Sequence, residues 1–124
     1  MRTTIRRTAV ASTVAVLTAL AAAGTASADY GSAGNAGCLF NWANSAGYIN
    51  GVWTSGASTY SNPSMGCTGA RVRQKKAGGT FTSWSYDTTN PEYIATDSCA
   101  CVVIQTQHSG RSAVDGVWYT WSDS

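Results

Sequence analysis

Four cysteines constrain the fold of this chain more than any other feature of its sequence. They are Cys38, Cys67, Cys99 and Cys101, and all four follow an N-terminal segment typical of secretion signals. An even number of cysteines in a short exported chain favours disulfide bonds, because the compartment is oxidising. A four-thiolate zinc site is the alternative, but the paired Cys-x-x-Cys spacing of such sites is absent. The sequence therefore predicts two disulfides and no metal site.

The spacing of the cysteines restricts how they can pair. Cys99 and Cys101 stand two residues apart in a segment that we expect to be extended. Such residues lie about 6.6 to 6.8 Å apart, with side chains pointing the same way. Because that geometry is unfavourable for an S–S bond, we expect no Cys99–Cys101 disulfide. Each of the two should pair with either Cys38 or Cys67, in an order that the sequence leaves open.

Residues 1–28 have the pattern of a secretory signal peptide. Arginines near the start precede an uncharged stretch, and Ala26-Ser27-Ala28 provides a small-x-small cleavage motif. A membrane anchor is the alternative, but a span needs about 20 strongly apolar residues, whereas this stretch is rich in alanine and contains serine and threonine. We expect cleavage after Ala28, a secreted extracellular protein and no membrane span.

The charge of the remaining chain argues against one class of partner. Residues 29–124 carry five basic and six acidic residues, a net charge of −1. Proteins that bind nucleic acid through its phosphates are usually strongly basic, so we expect no nucleic-acid partner. Charged residues make up 11% of the chain, about half the usual fraction, which argues against a coiled coil or a charge-rich disordered segment.

The alternation of side chains predicts the fold class. Over residues 69–76 small, apolar or amide side chains alternate with cationic ones, which indicates a half-buried strand with a cationic outer face. No segment of about ten residues has apolar positions at helical spacing. Other short segments favour strands and are separated by turns, namely 38–42, 51–54, 80–86, 99–107 and 113–121. We expect an all-β fold, a small antiparallel β-sandwich of five to six short strands stapled by two disulfides.

The chain is expected to have three parts. A signal peptide covers 1–28, and the glycine-rich segment 29–37 is expected to be a flexible leader because it shows no periodicity. A single β-sandwich domain covers 38–124, a length suited to one domain.

The sequence offers little catalytic chemistry. The single histidine, His108, stands in His-Ser-Gly-Arg, which we expect to be an exposed turn between strands, and no Gly-x-Ser-x-Gly elbow is present. Glu92 is the only glutamate, whereas a glycosidase needs two carboxylates facing one bond. Cysteine nucleophiles need a free thiol, and all four thiols are expected to be paired. We therefore predict a protein that is not an enzyme and holds no cofactor.

The cationic strand is the first candidate binding site. Arg71, Arg73 and Lys75 share one face at about 6.7 Å spacing. A row of this kind could bind an anion such as phosphate or pyrophosphate. The alternative is a solvated edge strand, where lysine and arginine prevent edge-to-edge association.

The aromatic residues near the C-terminus are the second candidate. In an extended strand Trp118 faces opposite to Tyr119 and Trp121. One of these faces can enter a two-layer core, and the other could form a platform for a sugar or a protein partner. The alternative is that most of these rings are core.

Several short motifs resemble the lactococcin-type secreted bacteriocins. They are Gly51-Val52-Trp53-Thr54, then Thr59-Tyr60-Ser61-Asn62, then Gly69-Ala70-Arg71-Val72, and the closing strand Val117-Trp118-Tyr119-Thr120-Trp121. The resemblance implies a signal peptide, a small β-sandwich and binding to the cell-wall precursor lipid II. The histidine-rich turn of that family is replaced by Pro63-Ser64-Met65-Gly66-Cys67, and the cysteines and residues 80–95 have no counterpart.

These observations lead to two functional hypotheses. The first is a non-enzymatic, bacteriocin- or toxin-like factor in bacterial antagonism, with an anionic cell-wall precursor held by the cationic strand and Tyr60. The second is a small adaptor subunit of a larger secreted antibacterial toxin complex, or a secreted protease inhibitor, with a secreted protein as its partner. In the second case the glycine-rich leader and the exposed aromatic face would be docking elements that become ordered on binding.

Overall fold

The computed structural model describes residues 26–123, and this part of the chain is all-β, as predicted. It contains eight strands where five to six were expected. They are β1 (Ala26–Asn35), β2 (Cys38–Ile49), β3 (Val52–Ser61), β4 (Cys67–Lys76), β5 (Ser85–Asp87), β6 (Tyr93–Cys99), β7 (Val103–Ser112) and β8 (Trp118–Asp123), with one 3-10 turn at Pro63–Met65. The expected signal peptide lies, up to residue 25, outside the described residues. Within residues 26–123, no helix has the length and hydropathy of a membrane span.

The strands form two four-stranded antiparallel sheets that pack against each other. The first sheet has the order β1-β2-β3-β6 and the second the order β5-β4-β7-β8. The central strands β2 and β3 lie over β4 and β7, and β6 also packs on β4. The expected antiparallel sandwich is therefore confirmed.

Strand β4 has the predicted alternation. Val72 and Gln74 are fully buried between the sheets, while the cationic residues between them are only half-buried. The segment that follows is less regular than expected. Of residues 80–86, only Ser85 and Tyr86 belong to a named strand, and Phe81 forms an isolated bridge with Lys75.

Most of the segment 29–37, expected to be a flexible leader, belongs to strand β1, and its last two residues form the turn to β2. Residues 26–35 pair along their whole length with β2, from Ala26 opposite Gly47 to Asn35 opposite Cys38. Small side chains allow this close packing, because a Cβ on Gly31 would lie only 3.1 Å from the Trp42 ring. The prediction of a flexible leader was wrong because β1 is held by backbone hydrogen bonds to β2 and by the close packing of its small residues. Neither interaction requires an alternation of polar and apolar side chains that the sequence would show.

The segment 108–112, expected to be an exposed turn, is the second half of strand β7. His108, Ser109, Gly110 and Ser112 are all buried. Their polar side chains have internal partners, as when the Ser112 hydroxyl donates to the Ala36 carbonyl at 2.7 Å. Small and polar residues indicate a turn in an isolated sequence, whereas here they fit a closely packed strand.

The two disulfides are Cys38–Cys67 and Cys99–Cys101, so the exclusion of the second pair was wrong. The prediction assumed that residues 99–101 are extended. Strand β6 instead ends at Cys99 and the chain bends before β7, which brings the two Cα atoms to 5.2 Å. That separation lies within the usual range for a disulfide. The Cys38–Cys67 bond joins β2 to β4 and therefore links the two sheets.

The core is apolar at one end of the sandwich and polar toward the other. Near the Cys38–Cys67 disulfide it is built from Phe40 and Trp42, next to a cluster of Ala57, Ala70, Val72, Tyr93 and Ala95. The buried polar residues Thr59 and His108 stand in register with Trp42 and Val72, and Gln74 and Thr106 follow them toward the other end. Buried polar groups need hydrogen-bond partners, so side-chain hydrogen bonds between the strands are concentrated at this end of the sandwich.

Close packing at the apolar end makes a direct prediction. A Cβ on Gly110 would lie 2.7 Å from both the Cys38 sulfur and the Phe40 ring. Because the sulfur belongs to a disulfide and cannot move far, we expect Gly110→Ala to lower the free energy of unfolding by about 1–3 kcal/mol. Urea denaturation measures this change. Gly78→Ala is the matched control, since nothing lies within 4 Å of its Cβ, and an equal loss in both variants would contradict the packing described here.

Candidate functional site

The outer face of the second sheet carries a regular array of cations. The three cationic residues of β4 point away from Val72 and Gln74, which are buried, so they lie together on the outer face as the alternation predicts. Arg111 on the neighbouring strand β7 belongs to the same surface, because its guanidinium lies 5.3 Å from the Trp118 ring. We call this surface the cationic face and define it by Arg71, Arg73, Lys75 and Arg111.

Aromatic rings alternate with the cations on this face. The Arg71 guanidinium carbon lies 3.9 Å from the centre of the Trp84 ring and 4.7 Å from that of Trp118. The Arg73 carbon lies 3.9 Å from the Phe81 ring and 4.3 Å from Trp84. These distances are within the range of cation–π attraction, about 6 Å. The rings hold the guanidinium groups in fixed orientations along the sheet.

Hydrogen bonds fix the same side chains further. Arg73 Nε donates to Gln107 Oε1 at 2.8 Å, and Gln107 Nε2 donates to Ser122 Oγ at 3.2 Å. Arg111 donates to the Thr68 hydroxyl at 2.9 Å and to the Thr68 carbonyl at 3.1 Å. Burial lowers the pKa of Arg71 below its ordinary value, although the side-chain hydrogen bond with Tyr86 raises it. The face is therefore organised before any ligand arrives.

The structure brings some of the predicted aromatic residues to this face and not others. Trp118 lies on it, between Arg71 and Arg111. Trp121 points the other way and stacks on Trp42 with ring centres 6.3 Å apart, although 42% of it stays exposed. Tyr119 faces the same way as Trp121, and its hydroxyl donates to Asp115. The opposite orientations expected for these residues are observed.

Tyr60 lies far from the cations in the fold. It belongs to β3 of the first sheet, and its inward-pointing neighbour Thr59 contacts β4. Tyr60 therefore points to the outer side of the first sheet, where its hydroxyl donates to Glu92 at 3.2 Å and accepts from Asn62 at 3.0 Å. The predicted grouping of Tyr60 with Arg71 and Arg73 is wrong, because strand alternation places them on opposite sides of the sandwich.

His108 occupies the centre of the sandwich, where its solvent exposure is zero. Nδ1 lies 2.8 Å from the Thr59 hydroxyl, and Nε2 lies 2.8 Å from Asn44 Oδ1. The Trp42 ring lies against the imidazole with centres 5.4 Å apart. Burial lowers the pKa of His108 to about 3, so the ring is neutral at physiological pH. It is a buried structural group and not the solvated turn residue that we expected.

A hydrogen-bond chain from Asp123 orients the Asn44 amide toward His108. Asn44 Nδ2 lies 2.9 Å from Asp123 Oδ2. A carboxylate only accepts hydrogen bonds, so the Asn44 amide turns its nitrogen to Asp123 and its oxygen to His108. An imidazole proton on Nε2 suits this orientation of Asn44. The Thr59 hydroxyl beside Nδ1 has a single proton, for which the Arg71 carbonyl at 3.0 Å also competes. Asn44 thus stands between the imidazole and the carboxylate.

A cleft of about 360 Å³ opens at the polar end of the sandwich. Its lining comes from strands of both sheets and includes Asp29, Asn44, Gln74, Thr106 and Asp123, with apolar contributions from Ala28, Ala46, Val103 and Ile104. No sequence pattern marks this cleft, because its residues are contributed by six strands. Within residues 26–123, no group of three or more His, Cys, Asp or Glu side chains is arranged to hold a metal ion.

Comparison with known proteins adds no identification. No family model matches the chain, and neither a curated protein nor a solved structure does so.

Proposed function

We propose that this protein is a secreted, non-enzymatic binding protein that acts in bacterial antagonism at the cell envelope. In this proposal the cationic face holds an anionic cell-wall precursor. The observation that supports it most is the stacking of Arg71 and Arg73 on aromatic rings. Stacking occupies the flat side of a guanidinium and leaves its N–H edge for bidentate contacts with phosphate or carboxylate.

The position of β4 argues against the alternative function of these cations. Cations on an edge strand prevent association between sheets. Strand β4 is internal, because β7 pairs with it on one side and β5, with the Lys75–Phe81 bridge, on the other. Edge protection therefore does not explain why three cations stand in a row on β4, and ligand binding does.

The neighbours of the cations suit a ligand that also carries sugar. The exposed hydroxyl of Thr120 on β8 lies beside the cationic face, 2.8 Å from the buried hydroxyl of Ser109 on β7. The rings of Trp84 and Trp118 can pack against the apolar side of a sugar. A phosphorylated glycan, the chemistry of cell-wall precursors, combines the two requirements.

Charge reversal on the face provides the test. We expect R71E/R73E to weaken binding to undecaprenyl-pyrophosphate-linked precursor by at least about tenfold, since two charge-assisted contacts become repulsive. The inhibition of a susceptible bacterium should fall in parallel. Surface plasmon resonance on precursor-containing vesicles measures the affinity, and vesicles without precursor report non-specific adsorption.

A second pair of variants controls for charge alone. R73E and K76E change the net charge equally, but Lys76 is exposed at the end of β4. R73E should weaken binding and K76E should leave it nearly unchanged. Equal effects in folded proteins, judged by circular dichroism, would show that the face is not a specific site.

The adaptor function has one observation in its favour. The β2–β3 hairpin exposes Tyr48, Val52 and Trp53, and the two rings contact each other edge to face with centres 5.4 Å apart. An exposed apolar hairpin end is typical of docking elements. The two functions differ in one measurement: the first requires activity of the purified protein alone, and the second requires co-purification of a protein partner from the culture supernatant.

A further inference from the structure

Two facing rows of residues, all polar except Ala57, cross the polar end of the sandwich. Five of their seven members line the cleft, and we call the rows its floor. In the first sheet Asp29, Asn44, Ala57 and Asp97 stand side by side on the four strands. In the second sheet the corresponding row is Gln74, Thr106 and Asp123. The rows are joined across the sandwich by hydrogen bonds from Gln74 to Asp97 at 3.0 Å and from Asn44 to Asp123 at 2.9 Å.

Two oxygens of this floor are buried and lack partners. Gln74 uses its nitrogen for Asp97, and its Oε1 has no hydrogen-bond partner among the residues that the structure describes. The same holds for the Thr106 hydroxyl. Gln74 has no solvent exposure and Thr106 has 5%, and both line the cleft. Buried polar atoms without partners are costly, so a ligand that satisfies them would be stabilised at this position.

The oxygens of the floor define the chemistry of such a ligand. The carboxylates of Asp29 and Asp123 and the Gln74 amide oxygen are acceptors, so the group that they receive must donate hydrogen bonds and favour negative surroundings. The apolar part of the lining is formed by Ala28, Ala46, Val103 and Ile104, beside the further polar residues Ser45, Ser55 and Gln105. A cation at the end of an alkyl chain fits both parts, because the chain can lie on the apolar side while the charged end meets the oxygens.

We propose that the cleft binds the ammonium group of an alkyl amine, such as a lysine side chain. This site is separate from the cationic face, which takes ligands of opposite charge on the outer side of the second sheet. The inference therefore goes beyond the proposed function and does not depend on it. A bare metal ion is a poorer occupant, because it would fill a small part of 360 Å³ and make no use of the apolar side.

The test uses two probes that differ only in charge. N-acetyl-L-lysine amide carries an ammonium group, and N-acetyl-L-norleucine amide has a similar alkyl chain without it. We expect isothermal titration calorimetry of the purified protein to show binding of the lysine derivative and at least tenfold weaker binding of the norleucine derivative. D123N should reduce affinity for the lysine derivative by roughly tenfold to a hundredfold, whereas E92Q, which alters an exposed glutamate elsewhere, should not.

A second measurement keeps the test valid if D123N alters folding. In the unaltered protein, the lysine derivative should shift the NMR signals of Gln74 and Thr106 and leave those of Arg71 and Arg73 unchanged. Shifts at the cationic residues, equal affinity for the norleucine derivative, or displacement of the lysine derivative by Ca²⁺ would each overturn the proposal. R73E should bind the lysine derivative with the affinity of the wild type. The experiments can therefore disprove anion binding at the cationic face and ammonium binding in the cleft independently of each other.

Discussion

Removing the Cys38–Cys67 disulfide, in the variant C38A/C67A, should lower the free energy of unfolding by about 3–4 kcal/mol. The bond joins residues 29 positions apart, and a crosslink over that distance restricts the unfolded chain strongly in the chain-entropy model. Both cysteines are also buried beside Phe40 and Trp42, so their truncation leaves a gap in the core. Because small domains have only about 5–15 kcal/mol of stability, the loss should be large in guanidinium denaturation.

The second disulfide provides the matched control. Cys99 and Cys101 are two positions apart, and closing so short a loop restricts the unfolded chain much less. Both residues are only partly buried. C99A/C101A should therefore lose at most about 1–2 kcal/mol. Similar losses in the two double variants would contradict the assignment of the stabilising role to the bond between the sheets.

The parts of the fold that could be predicted are those with side-chain alternation. Strand β4 shows it clearly over residues 70–75, where each buried residue, such as Val72, is followed by a cation. Strand β1 does not, since glycine and other small residues on both faces pack closely without a period. The bend after Cys99 was missed for a related reason: the β-branched run that follows suggested one continuous strand, whereas β6 and β7 belong to different sheets.

The candidate sites also differ in whether the sequence can predict them. The row of Arg71, Arg73 and Lys75 lies on one strand, so two-residue periodicity was enough to place these side chains on one face. Arg111 was missed because 108–112 was interpreted as a turn. If the strand is continued through 108–112, Arg111 lies on the same outer face as Gln105, Gln107 and Ser109. The cleft depends on the register between strands distant in sequence, which a single sequence does not reveal.

Lowering the pH should destabilise the protein through His108, which is the second large effect. Its pKa is about 3 in the folded state and about 6.5 when exposed in the unfolded chain. Between these values the unfolded chain binds a proton that the folded protein does not. The stabilising contribution is therefore complete above pH 6.5 and falls by about 1.4 kcal/mol per pH unit as the pH decreases toward 3. From pH 6 to pH 4 the expected loss is about 2–3 kcal/mol.

The surroundings of His108 explain why the folded protein cannot accept the proton easily. Its neighbours are the Thr59 hydroxyl, the Asn44 amide and the Trp42 ring. Burial lowers the pKa of His108 more than a backbone hydrogen bond with Ser58 raises it. Asp123 is the nearest charged group in the hydrogen-bond chain, and Asn44 separates it from the imidazole. A protonated imidazole would thus be buried without a carboxylate in contact, which is costly.

The measurement compares urea denaturation of the wild type and H108Q from pH 7 to pH 4. Glutamine does not titrate, so the variant should be less stable at pH 7 but lose about 2–3 kcal/mol less on acidification. Subtracting the two curves removes the contribution of carboxylates such as Asp123, which both proteins share. If H108Q does not fold, the NMR signals of the imidazole in the wild type report the titration of His108 directly. A titration of the folded protein near pH 6.5 would mean that protons reach the ring. Because the ring is buried between Trp42 and Thr59, we expect no titration above pH 4.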